Sequence, residues 1–275
     1  MNHDDYVRFI TEDAPSGDVT SDVFINDVQC EGYGIAKEDF YVAGLEEIRD
    51  FYKFLNVELK TLLYDGMHVV NGDILFTVEG NIKNVLKGER VSLNILQRMS
   101  GIATKTRRFV DIVRPVNDKV IIAATRKTTP GFRYYEKRAV EIGSGWTHRL
   151  NLSDAILIKD NHIATAGINK ICEINRNYKT ELTKEIEVTT MDELKRIISE
   201  PFDVIMLDNF SVEMARESYS YIRRIAPDKK IEISGGITEE NIALYAPFAD
   251  IISVGALTHS YRSVDISMEI KGVRI

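Results

Sequence analysis

The chain has 275 residues, enough for one or two domains at roughly 150 residues each. Its 35 Lys and Arg against 42 Asp and Glu leave a net charge of −7, which argues against a nucleic-acid protein that works through overall basic charge. Cys30 and Cys172 stand far apart, with no CxxC or His-rich ligand spacing, which argues against a disulfide scaffold or structural zinc and for free buried thiols in a reducing compartment.

After an acidic opening, Glu12-Asp13 to Thr20, short strand-like runs appear at Gly32–Ala36 and Phe40–Ala43. Leu45 to Leu55 reads as a helix; Asp65-Gly66 and Asn71-Gly72 read as turns, and Asp73–Val78 as a strand. This half is a small α+β module with an antiparallel sheet. From about Asn81 to Val113 the pattern is helical, with Val91, Ile95, Met99 and Ile102 on one face. Ser100-Gly101 marks a break or a close approach within it.

The remainder is regular. Apolar runs at Val120–Ala124, Ala155–Ile158, Ile186–Val188, Val204–Leu207, Ile231–Ile233 and Ile251–Val254 alternate with helical segments. Thr190 to Glu193 fits a capping box, and Thr238 precedes another helix start. The pattern predicts βα units around a parallel sheet. No basic leader precedes an apolar stretch, and no run nears the roughly 18 residues of a membrane span, so a cytoplasmic protein is expected.

Polar residues follow each run. Arg126-Lys127 follows the first, Lys159 the second and Asp208 the fourth. Glu187 lies in the third, Ser234-Gly235-Gly236 follows the fifth, and Ser253 with Gly255 brackets the end of the sixth. Such groups at the carboxyl ends of parallel strands are how an α/β barrel builds an active site. Strands must end in something polar, but Ser or Asn would suffice for that, whereas Arg, Lys, Glu and Asp are costly beside a core.

Between Arg90 and Lys159 there are 14 Lys or Arg against 5 Asp or Glu, a local +9 that leaves −16 elsewhere. A surface stripe for nucleic acid is one explanation, but no aromatic or Arg-rich binding module accompanies it. Lys105, Arg107, Arg108, Lys137 and Arg138 read as the wet faces of helices. Arg126, Lys127, Arg149 and Lys159, beside strands or a glycine-rich loop, suit a polyanion. The turns Ser234–Thr238 and Ser253–Leu257 lead from strand to helix with small residues, as phosphate sites require. Glu185 and Glu187 share a strand face. With Asp208 they can serve hydroxyls, magnesium-bound water or a cationic transition state; a glycosidase pair is the competing reading, but it has no need of the Arg-Lys cluster. His148 beside Arg149 is the one histidine in a functional context; His3, His68 and His162 read as structural or exposed. Trp146 suits packing or ligand stacking equally.

The segments Asn94–Thr104, Thr125–Gly131, Ile158–His162, Leu207–Asn209 and Val254–Ser260 together resemble the motifs of the quinolinate phosphoribosyltransferase family, the carboxylating nicotinate-nucleotide pyrophosphorylases. Glu12-Asp13 and Gly17–Thr20 match as well, so the resemblance runs over nearly the whole chain in order. It implies an amino-terminal α/β sandwich over 1–105, completed by about 264–275, and an incompletely closed α/β barrel over 106–263. It also implies a homodimer with shared sites, in which Arg90 reaches the partner's site. Arg126, His148, Arg149 and Lys159 would complete a dicarboxylate pocket, with Lys127 nearer 5-phosphoribosyl 1-pyrophosphate. Ser234, Gly235, Gly236 and Gly255 would hold the 5-phosphate. Lys127, Lys159, Glu187 and Asp208 would form the catalytic set, Glu187 and Asp208 facing the ribose and meeting magnesium through its bound water.

The implied reaction joins quinolinate to phosphoribosyl pyrophosphate with loss of carbon dioxide, giving nicotinate mononucleotide, with no protein nucleophile or organic cofactor. The two substrates carry about −5 and −2, which five permanent cations (Arg90, Arg126, Lys127, Arg149, Lys159) and magnesium would roughly balance. The sequence departs from the family pattern at Ala124, usually Asp, and at Ser144, Trp146 and Thr147, where Gly-Gly-Gly and then Asn is usual. Two other readings remain: a related phosphoribosyltransferase of the molybdenum-transport-associated branch, and a silent phosphate-ligand sensor. The retained Lys159–His162 and Leu257–Ser260 segments argue against the first; intact Arg90, Glu187 and Asp208 argue against the second.

Overall fold

The structure, a computed structural model, describes residues 3–274. In chain order the elements begin with α1 (His3–Asp13), α2 (Val19–Phe24), β1 (Gln29–Ala36), β2 (Phe40–Tyr41), α3 (Leu45–Phe54), β3 (Glu58–Lys60), β4 (His68–Val69), β5 (Ile74–Asn81) and α4 (Ile82–Val113). Then come β6 (Ile121–Ala123), α5 (Arg133–Ile142), β7 (Ile156–Ile158), α6 (Asp160–Ala166), α7 (Ile168–Asn177), β8 (Lys184–Val188), α8 (Met191–Ile197) and β9 (Val204–Asp208). The last are α9 (Val212–Ile225), β10 (Lys230–Ser234), α10 (Ile242–Tyr245), β11 (Ile251–Ser253), α11 (Ala256–His259) and β12 (Ile266–Arg274). The chain divides into two compact units, Met1–Lys105 with Tyr261–Ile275, and Thr106–Ser260.

The first unit is built on an antiparallel sheet in the order β12-β1-β5-β3. β1 alternates exposed or half-buried with buried positions, as a strand with one packed face must. Ile48, Phe51 and Tyr52 of α3 are fully buried. Helix α4 runs unbroken through Ser100-Gly101, so the close approach is the correct reading of that pair. A Cβ on Gly101 would lie 2.2 Å from the Arg262 carbonyl oxygen, and the Ser100 hydroxyl accepts the Ala43 N–H at 2.9 Å.

The second unit carries six parallel strands in the order β6-β11-β10-β9-β8-β7. β6 and β7 are the two edges and do not pair, so the barrel is open between them. Trp146 covers the free edge of β6, its N–H donating to Ile122 (2.8 Å) and its carbonyl accepting from Ala124 (2.9 Å). Gly145 permits this approach: a Cβ there would sit 2.7 Å from Thr106 and 2.8 Å from Val140. Each predicted apolar run lies in a strand, shifted by at most two residues.

Two helix starts differ from expectation. Thr190 caps α8 through its hydroxyl, which accepts the Glu193 N–H, but Glu193 returns its carboxylate to Thr189 rather than to Thr190. The helix expected after Thr238 begins only at Ile242, because the Asn241 side chain accepts the Thr238 N–H and donates to the Gly236 carbonyl. Those bonds close a turn between Gly236 and Asn241.

Candidate active site

Strand register assembles the site. Ala123, Ser253, Ser234 and Asp208 are mutual neighbours across β6, β11, β10 and β9, and the row beneath holds Ile251, Glu232, Met206 and Glu187. Alternation sends every second side chain of each strand to the same face. That face and the loops beyond it enclose a cavity of about 700 Å³. Arg126, Lys127, His148, Arg149, Lys159, Glu187, Asp208, Ser234, Gly235, Gly236, Ser253 and Gly255 all line it. Arg90 does not: it stands on α4 in the first unit, its side chain 62% exposed and 3.5 Å from Glu89.

The lining includes two guanidiniums. The Arg126 Nε is buried and has no hydrogen-bond partner, a costly state for a charged donor unless a ligand completes it. Arg149 donates to the Ala155 carbonyl at 3.4 Å, and burial, followed by the nearby Arg126 charge, pushes its pKa down. Lys159, at the end of β7, is ion-paired with the buried Glu187 carboxylate on the neighbouring strand.

The lining also includes the glycine turns. Gly235 and Gly236 have φ of 90° and 63°, the left-handed region where glycine carries no steric cost. A Cβ at Gly235 would fall 2.2 Å from the Asn209 side-chain oxygen. Next to Gly255 lie His259 and the Lys127 stem, within 3.2 Å of where a Cβ would stand. The turn thus offers backbone N–H groups with a lysine alongside, a fit for a phosphate.

Permanent cations do not dominate the lining. Arg126, Lys127, Arg149 and Lys159 face the carboxylates of Asp160, Glu187, Asp208 and Glu232. The sequence-level charge balance omitted these acids. With them present, the cations are largely offset, which leaves the backbone dipoles of the glycine turns as a further donor set for an anion.

In the lining, His148 Nε2 lies 3.1 Å from Glu232 and, on its buried side, 3.4 Å from Glu185. Glu185, read from the sequence as a carboxylate open to hydroxyls or magnesium, is instead buried beneath this histidine. Burial alone would lower the His148 pKa, yet its hydrogen bonds to Glu185 and Glu232 outweigh that and raise it to about 9. Glu185 is itself raised to about 7, chiefly by burial and then by the Glu232 charge, against the pull of His148. The Arg149 N–H donates to His148 Nδ1 at 2.8 Å, which assigns the proton of the neutral ring to Nε2. The three groups lie within 4.8 Å of one another, but a protonated Nε2 has no lone pair for a metal. The Trp146 ring packs on His148 at 4.9 Å and does not line the cavity.

Lys137 contradicts its assignment to a wet helix face. It is 1% exposed, because α5 turns that side toward the His148 loop rather than to water. Glu232, Asn209 and His259 were also missed as site residues. Of these, Glu232 carried a readable signal: a lone carboxylate between isoleucines, on the same strand face as Ser234.

Residues 18–100 match the family model "Quinolinate phosphoribosyl transferase, N-terminal domain", and 102–269 match its C-terminal counterpart. The chain is 40% identical over 260 residues to a "probable nicotinate-nucleotide pyrophosphorylase (carboxylating)" of Archaeoglobus fulgidus, covering 93% of this chain and 99% of that protein. A protein of the same description from Bacillus subtilis is 39% identical over 277 residues, covering 98% and 92%. Among solved structures, NadC from Streptococcus pyogenes superposes with a TM-score of 0.90 at 33% identity, covering 98% of this chain and 95% of that one.

Proposed function

The chain belongs to the quinolinate phosphoribosyltransferase family, and on that premise we infer how its cavity performs the family's reaction. The enzyme transfers the phosphoribosyl group of 5-phosphoribosyl 1-pyrophosphate to quinolinate, releasing pyrophosphate and carbon dioxide and leaving nicotinate mononucleotide. The observation that carries this reading is the partnerless, buried Nε of Arg126 in a cavity that the glycine turns also line. Arg126, His148, Arg149 and Lys159 take the dicarboxylate. Ser234, Gly235, Gly236, Ser253 and Gly255 take the 5-phosphate, with Lys127 between the two substrates.

The pyridine nitrogen attacks the anomeric carbon, and the electron pair of the breaking C–O bond leaves with pyrophosphate. Glu187 and Asp208 face the ribose and stabilise its oxocarbenium-like charge. The 2-carboxylate then departs as carbon dioxide, its bonding pair left on the ring carbon beside the cationic nitrogen, where a proton is taken up. Holding two anions side by side is the larger part of catalysis, since repulsion would otherwise keep them apart.

Magnesium accompanying phosphoribosyl pyrophosphate fits this donor set. Asp208 offers a half-buried carboxylate, one oxygen of which accepts the Asn209 amide at 2.6 Å, while Glu187 is engaged by Lys159. Both would hold the ion through its water, as suits a cation that dehydrates reluctantly. When bound it supplies charge neutralisation for pyrophosphate. The exposed Arg90 suits delivery to the cavity of a second copy of the chain in a homodimer. Among the described residues no helix is long and apolar enough to cross a membrane, and a cytoplasmic enzyme acting on soluble substrates accords with that.

The test is incubation with quinolinate, phosphoribosyl pyrophosphate and magnesium. Nicotinate mononucleotide and carbon dioxide should appear in equal amounts, and nicotinate in place of quinolinate should give no product. Absence of product from quinolinate rejects the assignment.

A further inference from the structure

We propose that Lys137 is a positioning residue for the dicarboxylate: from the core it clamps the two carbonyls that flank His148, and so sets the loop presenting His148 and Arg149. The proposal rests on the reading of the cavity given above and adds to it a residue that does not line the cavity.

Lys137 lies in the middle of α5 and is 1% exposed. Its ammonium donates to the carbonyl of Thr147 and, at 3.3 Å, to that of Arg149. These are the residues immediately before and after His148. His148 itself has φ of 54°, a left-handed conformation that a histidine adopts only when its surroundings enforce it. With both neighbouring carbonyls held by one ammonium, the loop cannot relax to an extended backbone without breaking two charge-assisted hydrogen bonds. The same conformation lets the Arg149 N–H reach His148 Nδ1, so ring tautomer and loop shape are set together.

The choice of residue argues for function over packing. A buried ammonium needs a partner charge, and among the described residues Lys137 has no ion pair; its partners are neutral carbonyls. Its neighbours Arg133, Arg126 and Arg149 are cations, offset only by Asp154. Leucine or methionine would fill the space at lower cost. Burial, then those three guanidiniums, lower the Lys137 pKa to about 8. A dianion arriving at Arg126 and Arg149 offsets that repulsion, so ligand and buried lysine stabilise each other.

The experiment compares wild type with Lys137→Met in the full-length protein, well below the thermal midpoint of each. Failure of the wild type to make nicotinate mononucleotide rejects the reading of the cavity, whatever Lys137 does. With an active wild type, the quinolinate KM of K137M should rise at least 30-fold while the phosphoribosyl pyrophosphate KM stays within about twofold. A purely structural lysine would lower the midpoint without splitting the two constants, and a quinolinate KM within threefold of wild type overturns the proposal. The pH profile is a second readout. His148 with Glu185 and Glu232 titrates in both proteins, so only the wild type should show an added decline in kcat/KM for quinolinate through about pH 8. Should K137M not fold, lysine-labelled wild type is followed by NMR. One lysine should titrate near pH 8 and shift upward with quinolinate but not with inorganic phosphate; no such lysine overturns the proposal.

Discussion

Asn209, in a left-handed backbone conformation (φ 58°), donates its side-chain amide to the carboxylate of Asp208 over 2.6 Å. Its backbone N–H donates to the Ser234 carbonyl at 2.9 Å, and its side-chain oxygen faces Gly235. One residue thus links the carboxylate assigned to the ribose with the turn assigned to the phosphate. Asn209→Gly keeps the backbone but removes the amide. It should lower kcat about 10- to 100-fold with little loss of stability, read by steady-state kinetics beside a thermal melt.

Arg126 should be the least replaceable cation. Its buried Nε has no partner within the protein, so on the proposed reading Arg126→Ala removes a donor at the anion and should cost about a thousandfold in kcat/KM for quinolinate. Near-normal turnover in the folded variant would contradict its role.

Arg90 stands apart from the cavity lined by Lys159. Arg90→Ala and Lys159→Ala should each be inactive alone. After mixing and subunit exchange, half the dimers are mixed and each has one intact site, so about a quarter of wild-type activity should return. No recovery would argue against a shared site.

Linkage gives the pH dependence of stability. The folded His148 cluster holds its proton to about pH 9, whereas an unfolded histidine releases it near 6.5. The folded state therefore binds more protons between those values, and this contribution, complete below pH 6.5, is lost as pH rises through 9. Lys137 acts oppositely: with a folded pKa near 8 against 10.5 unfolded, it favours the folded state increasingly above pH 8. Thermal melts of wild type should fall from pH 6.5 toward 8, and His148→Asn should flatten that slope.

Gly101 tests the close contact within the first unit. Gly101→Ala would place a methyl 2.2 Å from the Arg262 carbonyl and should destabilise by about 1–3 kcal/mol, measured by denaturant titration.

The alternation of apolar runs and the polar residues closing them were legible along the chain, because they are local: a strand end shows its side chains wherever the strand goes. Hence the parallel sheet, Arg126, Lys159, Glu187, Asp208 and both glycine turns could be read from residue order. The closeness of Glu185 and Glu187 in sequence likewise revealed their common face, but not that one meets the cavity and the other lies beneath His148. That division depends on depth within the sheet. His148 and Glu232 meet across 84 residues, and Lys137 is buried only because α5 packs toward a loop ten residues away. Local pattern determined which side chains could do chemistry. Tertiary packing decided which are solvated, paired or clamped, because burial and charge pairing are properties of neighbours that the order of residues does not contain.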